Sequence, residues 1–135
     1  MGKQGNGQLT KMINNCIYDI NCAAIAELLP MAVKLGLEPT QIGEVINGGT
    51  ARSYASEYFV PRMLDRNFSY GFTLKDAYKD LVSAVEVAVN QTIPTPVLDA
   101  TASIYKMTML NGYGDLYKGA LICLYEDLLG VKFIK

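Results

Sequence analysis

Hydrophobic positions recur along this chain at intervals of three and four residues, nearly from end to end. The first run is Leu9, Met12, Ile13, Cys16, Ile17, Ile20 and Ala24, one broad face of a helix. It carries on through "AAIAELLPMAVKLG" and stops at Gly36, a residue type that ends helices because it accepts a left-handed backbone. Pro30 lies inside this run. It removes one backbone donor and crowds the preceding turn, so it predicts a kink or a split. "EPTQIGEVINGG" reads as a short second helix, with Pro39 in its first turn and Gly48-Gly49 at its end. "TARSYASEYFVPRMLDRNF" holds a third, expected not to run smoothly through Pro61.

After the connector "YGF", a strong helix is predicted to start at Thr73, with Asp76 three residues on as a variant capping box. Its apolar face is Leu74, Ala77, Tyr78, Leu81, Ala84, Val85 and Ala88. "TIPTP" is a turn. Val97, Ala100, Thr101, Ile104 and Thr108 mark the next helix, and "NGYGD" breaks it. Asp115 is placed to cap a last helix, "LYKGALICLYEDLLG", apolar nearly all round and so destined for a core or an oligomer interface. No run of strands and no internal repeat stands out. The predicted fold is all-α, about six helices, the first the longest.

Polar residues on the first helix carry their own pattern. At 3.6 residues per turn, Gln8, Lys11, Asn15, Tyr18 and Cys22 share a face, opposite the Leu9–Ile13–Ile20 stripe. A lysine brings a positive charge and a proton; an asparagine brings two donors and an acceptor. Together they suit an anionic substrate with a hydroxyl or carbonyl, although a solvated helix face accommodates the same residues. Spacing alone favours the solvated face.

Composition narrows the classes. The chain has 135 residues, enough for one domain with a real core, half of them hydrophobic and 19% charged. A net charge of −1 without basic runs argues against nucleic acid as a partner. Charges interrupt the apolar stretches, which argues against a membrane span, and no secretory leader is apparent. Met1-Gly2 opens a myristoylation-like pattern that Asn6 spoils, since serine or threonine belongs there. Three cysteines, Cys16, Cys22 and Cys123, lack metal-type spacing and read as buried, reduced thiols of a cytoplasmic protein. The chain contains no histidine, so histidine triads and histidine-based metal sites are excluded. No metal is expected. Gly2, Gly5 and Gly7 form G-x-x-G-x-G, but no strand precedes them, and a dinucleotide-binding turn is rejected.

"GNGQLTKMINN" resembles the G-x-G-x-x-x-K-x-x-x-N signature of the β-hydroxyacid dehydrogenases, the family of 3-hydroxyisobutyrate dehydrogenase, with Gly5, Gly7, Lys11 and Asn15 matching. "AELLPMAVKLGLEP" and "GFTLKDAYKDLVSA" resemble two further family passages, and "PTP" and "GYGD" fall at its proline and glycine turns. The likeness spans nearly the whole chain in order. It implies the all-helical C-terminal domain over residues 1–135, on the substrate side and in the dimer, without the N-terminal Rossmann domain that holds NAD or NADP. Lys11 would be the general acid/base. Asn15, Phe72, Asp80 and Gly7 would lie at the substrate, and Lys79 would meet the cofactor. The implied reaction oxidises a small 3-hydroxy acid or reduces a semialdehyde or glyoxylate-like acid. By itself this chain would bind no cofactor and be inactive. The rival reading is a non-catalytic helical oligomerisation module, which would have no need of Lys11 and Asn15. Two residues depart from the family pattern: Pro30, and Tyr117 where many relatives carry an aspartate.

Overall fold

The computed structural model describes residues 2–69 and 71–135; Met1 of the amino-terminal pattern and Tyr70 of the "YGF" connector lie outside them. Six α-helices follow one another: α1 Asn6–Lys34, α2 Pro39–Gly48, α3 Tyr54–Leu64, α4 Leu74–Asn90, α5 Pro96–Thr108 and α6 Leu121–Leu129. A π-helical turn, Met109–Tyr113, extends α5, and a 3-10 turn, Lys118–Ala120, leads into α6. The π turn is broken by Gly112 at φ +93°, within the predicted "NGYGD" stop. Among the described residues, the only β pairing is an isolated antiparallel bridge between Thr73 and Tyr117.

Helix α1 is the hub and packs against all five other helices. By length and composition it is also apolar enough to cross a membrane, which the interrupting charges did not predict. Its buried face agrees with the expected one at Cys16 and otherwise departs from it. Leu9, Ile13 and Ile17 are 50%, 54% and 55% exposed, while Cys16, Cys22, Ala23, Ala26 and Leu29 enter the core. Hydrophobicity ranks the larger aliphatics first, but α1 meets its neighbours through small residues that let the helices approach closely.

The prolines interrupt less than predicted. Helix α1 runs as one helix through buried Pro30, and α3 through Pro61. Each lies close to its helix's C-terminus, where few turns follow the missing donor. Side-chain caps fix three of the six N-termini. The Glu38 carboxylate accepts from the Thr40 and Gln41 amides, Ser53 and Ser56 cap α3 reciprocally, and the Thr73 hydroxyl accepts from the Asp76 amide. Asp115, expected to cap the last helix, is instead drawn to Lys75 at 2.7 Å. Leu121, Ile122, Cys123 and Leu124 are all buried, so α6 is apolar all round because this chain surrounds it. Only Leu128 of its large apolar residues is exposed.

The C-terminal tail folds back on this core. Phe133 is fully buried, and its amide donates to the Glu126 carboxylate. Arg66 donates two further hydrogen bonds to the same carboxylate, at 2.6 and 2.8 Å.

Candidate active site

Lys11, Asn15 and Asp19 stand four residues apart on α1, and the helical repeat stacks them on one side. This side faces a cleft of about 280 Å³ lined by Lys11, Asn15, Tyr18, Asp19, Phe72, Asp80 and Lys118. Four of the six sequence-predicted site residues therefore converge: Lys11, Asn15, Phe72 and Asp80. A second cleft of about 220 Å³ adjoins it, sharing Lys11, Asn15, Asp19 and Asp80 and adding Ser83 of α4.

Gly7 and Lys79 line neither cleft. Gly7 lies in the first turn of α1 with open space where a Cβ would stand, so nothing among the described residues requires glycine there. Gly5, the residue before the helix, has φ +88°, which does favour glycine. Lys79 is exposed on α4, one position from Asp80.

The far wall of the cleft is positioned by backbone. The Tyr117 amide donates to the Phe68 carbonyl at 2.8 Å and the Lys118 amide to the Phe72 carbonyl at 3.2 Å. The Leu74 amide returns a bond to the Leu116 carbonyl at 2.9 Å. These bonds zip the entry to α4 onto the segment before α6, and so hold Phe72 beside Lys118. Gly71 makes the approach possible: its φ is +116°, and a Cβ there would stand 2.5 Å from the Tyr117 ring. Tyr117, the departure noted in the sequence, joins a cluster of rings with Tyr58 and Phe59 under this wall.

Lys118 and Asp19 were not foreseen. The Lys118 ammonium donates to Asp19 Oδ1 at 2.8 Å, and both side chains are nearly sealed from solvent, at 9% and 3% exposure. The ammonium also lies over the rings of Tyr18, at 4.2 Å from the centroid, and Phe72, at 5.5 Å. Burial pushes the Asp19 carboxyl above its ordinary range, and Asp80 adds to this; the Lys118 charge and hydrogen bond pull it back. Two bonds fix the pair's backbone: the Tyr105 hydroxyl donates to the Asp19 carbonyl at 3.0 Å, and the Cys22 thiol lies 3.8 Å from the Lys118 carbonyl. One signal for Asp19 was present in the sequence, since it continues the Lys11–Asn15 spacing by one more turn.

A cleft with a free lysine, an amide, two carboxylates, a caged ammonium and one aromatic wall can bind a small polar acid and move a proton at its edge. Likeness to known proteins places the chain in a family. Residues 5–125 match the family model described as "NAD-binding of NADP-dependent 3-hydroxyisobutyrate dehydrogenase". The chain is 31% identical over 133 residues to 2-(hydroxymethyl)glutarate dehydrogenase of Eubacterium barkeri, covering 98% of this chain and 44% of that protein. It is 30% identical over 132 residues to 2-hydroxy-3-oxopropionate reductase of Escherichia coli, covering 98% and 45%. Among solved structures, the Mycobacterium tuberculosis 3-hydroxyisobutyrate dehydrogenase with L-serine superposes with a TM-score of 0.79 at 28% identity, covering 88% of this chain and 43% of that one. The chain thus spans less than half the length of these relatives. It belongs to the β-hydroxyacid dehydrogenase family of 3-hydroxyisobutyrate dehydrogenase, and its six helices are the helical C-terminal domain of that family.

Proposed function

We propose that this chain is the substrate-side domain of an NAD(P)-dependent dehydrogenase acting on a small 3-hydroxy acid, or on the corresponding semialdehyde in reverse. Lys11 is the general acid/base: it takes the hydroxyl proton during oxidation and returns it during reduction. Asn15, one turn away, hydrogen-bonds the substrate, and Phe72 and Asp80 close the cleft from the α4 side. The single observation that carries the reading is the convergence of Lys11, Asn15, Phe72 and Asp80, drawn from two distant stretches of chain, on one cleft.

The described residues contain no strand–turn–helix unit to cradle a dinucleotide, so the cofactor rests mainly on a nucleotide-binding half, and this chain supplies one edge. Lys79, exposed beside Asp80, suits an edge contact with an anionic cofactor. The nicotinamide ring would supply hydride exchange with the substrate carbon. Proton transfer, orientation and exclusion of water fall to the residues of the cleft.

The test is Lys11→Ala in the full-length enzyme. Loss of a general acid/base removes about 100- to 10,000-fold of rate, and kcat is expected to fall by that much with little change in cofactor affinity. Lys11→Arg should be nearly as damaging, because arginine keeps the charge but cannot release a proton near neutral pH. Near-normal kcat in Lys11→Ala would end the reading.

The partner proposed for this domain is a second copy, docked along α1. The exposed face of α1 carries Leu9, Ile13, Ile17, Leu28 and Met31, and its C-cap Leu35 continues it. These positions repeat every eleven residues, Leu9 to Met31 being two repeats, at 3.67 residues per turn. Such a stripe stays nearly straight along the helix and matches its own copy, as a two-fold interface requires.

A further inference from the structure

We propose that Lys118 is a second, fixed cation of the substrate site, that it binds a carboxylate of the hydroxy-acid substrate, and that Asp19 is the positioning residue that holds it there. The inference rests on the proposed function and deepens it. Three observations carry it.

First, Lys118 lines the same cleft as Lys11, Asn15, Phe72 and Asp80. It arrives there from the turn before α6, 99 residues from Asp19. Second, its hydrogen bonding is incomplete. An ammonium has three N–H donors, and among the described residues one side-chain acceptor, Asp19 Oδ1, lies within reach. Its other near neighbours are two ring faces, which favour the cation but accept no conventional hydrogen bond. A buried cation with free donors beside a cleft is an anion-binding site short of its anion. Third, stability gives a poor account of the pair. A buried ion pair is commonly no more stabilising than an apolar pair of equal volume, because both charges lose their hydration.

The division of labour follows from chemistry. Lys11 must give and take a proton, so it serves poorly as a permanent counter-ion for the substrate. Lys118 is held by its hydrogen bond to Asp19, by the rings of Tyr18 and Phe72 and by the Lys118–Phe72 backbone bond. Asp19 and Asp80 balance Lys11 and Lys118 across the cleft, so net charge does not attract the substrate. Directed N–H donors do.

The experiment uses the full-length enzyme, this chain together with its nucleotide-binding half. Lys118→Met alone would strand a buried carboxylate and could unfold the domain, so the working variant is Lys118→Met/Asp19→Asn, which removes both charges at similar volume. Calorimetric titration without cofactor or turnover uses three probes: isobutyrate, glutarate and the neutral isobutyramide. A lost hydrogen bond to a charged group is read as a drop of about tenfold or more in affinity. We expect that drop for the acids and none for the amide, with KM rising more than kcat falls in the assay. A drop for both acids assigns Lys118 the carboxylate nearer the reacting carbon, and a drop for glutarate alone assigns it a second carboxylate farther out. Affinities within twofold of the parent for both acids would overturn the proposal. Lys11→Ala run in parallel separates the two ideas: a fallen kcat there, with acid binding unchanged in the double variant, retains the acid/base and removes Lys118 alone.

Discussion

Arg66→Ala is expected to be among the most damaging single changes outside the site. The Glu126 side chain is fully buried and has three hydrogen-bond donors around it: Arg66 Nη1 at 2.6 Å, Arg66 Nη2 at 2.8 Å and the Phe133 amide at 2.6 Å. Removing Arg66 leaves a buried carboxylate with one donor. Breaking a buried pair in this way costs about 3–5 kcal/mol. For a chain of this length each kcal/mol moves the melting point by roughly 3–5 °C, so a fall of about 10–25 °C follows. Glu126→Gln should cost less, about 1.5–3 kcal/mol, because it strands no charge and the Arg66 side chain, 25% exposed, can turn to water. Arg66→Met with Glu126→Met should recover about half of the loss, keeping a deficit of about 1–3 kcal/mol from the unpaired Phe133 amide. Circular-dichroism melts and urea titrations of the four proteins give the ranking. Arg66→Ala within 1 kcal/mol of the parent, or Glu126→Gln as the worse of the two single variants, would refute the reasoning.

Other outcomes follow from the same structure. All three cysteines are buried, and burial raises the thiols, Cys22 to about 12 and Cys123 to about 11. With so little thiolate at pH 8, an aromatic disulfide reagent should find no thiol in the native chain and three after denaturation; prompt native reaction would contradict the burial. The folded state also holds these protons more tightly than the unfolded one, so stability should fall as pH rises above about 8.5, and a flat profile to pH 10 would count against it. Light scattering should report a dimer, and Ile13→Glu with Ile17→Glu should dissociate it without unfolding; a parent monomer at micromolar concentration would exclude the α1 interface. Titration of this chain with NADH or NADPH should show no binding, and micromolar affinity would mean the cofactor site is misplaced.

The helices were legible because their evidence is local. Period, caps and glycine stops are written in neighbouring residues, and Thr73, Pro39 and Gly36 act where the sequence places them. What depended on partners was not legible. The aliphatic stripe of α1 looked like core, and only the arrangement of the other helices shows that Ala23 and Ala26 face inward while Ile13 and Ile17 do not. Asp115 looked like a cap until Lys75 stood beside it. The convergence of Phe72 and Asp80 on Lys11 was readable only through the family likeness, since no local pattern ties residue 11 to residue 80. Lys118 escaped both routes. It sits in an apolar run outside the matched signatures, and its meaning depends on a residue almost the whole chain away.

Helix α1 has to satisfy three demands at once, and its sequence divides them by angle. The inward side carries small residues, which bring the other helices close enough to fix the backbone. A second side carries Lys11, Asn15 and Asp19, running from exposed at Lys11 to buried at Asp19. The third side is left to large aliphatics that this chain does not cover. Such a division explains why a polar residue like Asp19 can sit at the edge of the core: it lies where the inward side meets the functional side, and Lys118 satisfies it from across the cleft. It also explains how Lys11 remains exposed while its backbone lies within the continuous helix α1. A side chain with the proton-transferring role proposed for Lys11 needs freedom to exchange with its substrate, and an ordered helix beneath it to aim that freedom. Ile13 and Ile17 follow Lys11 and Asn15 by two residues each, so any partner that covers the aliphatic side also bears on the helix that carries the site.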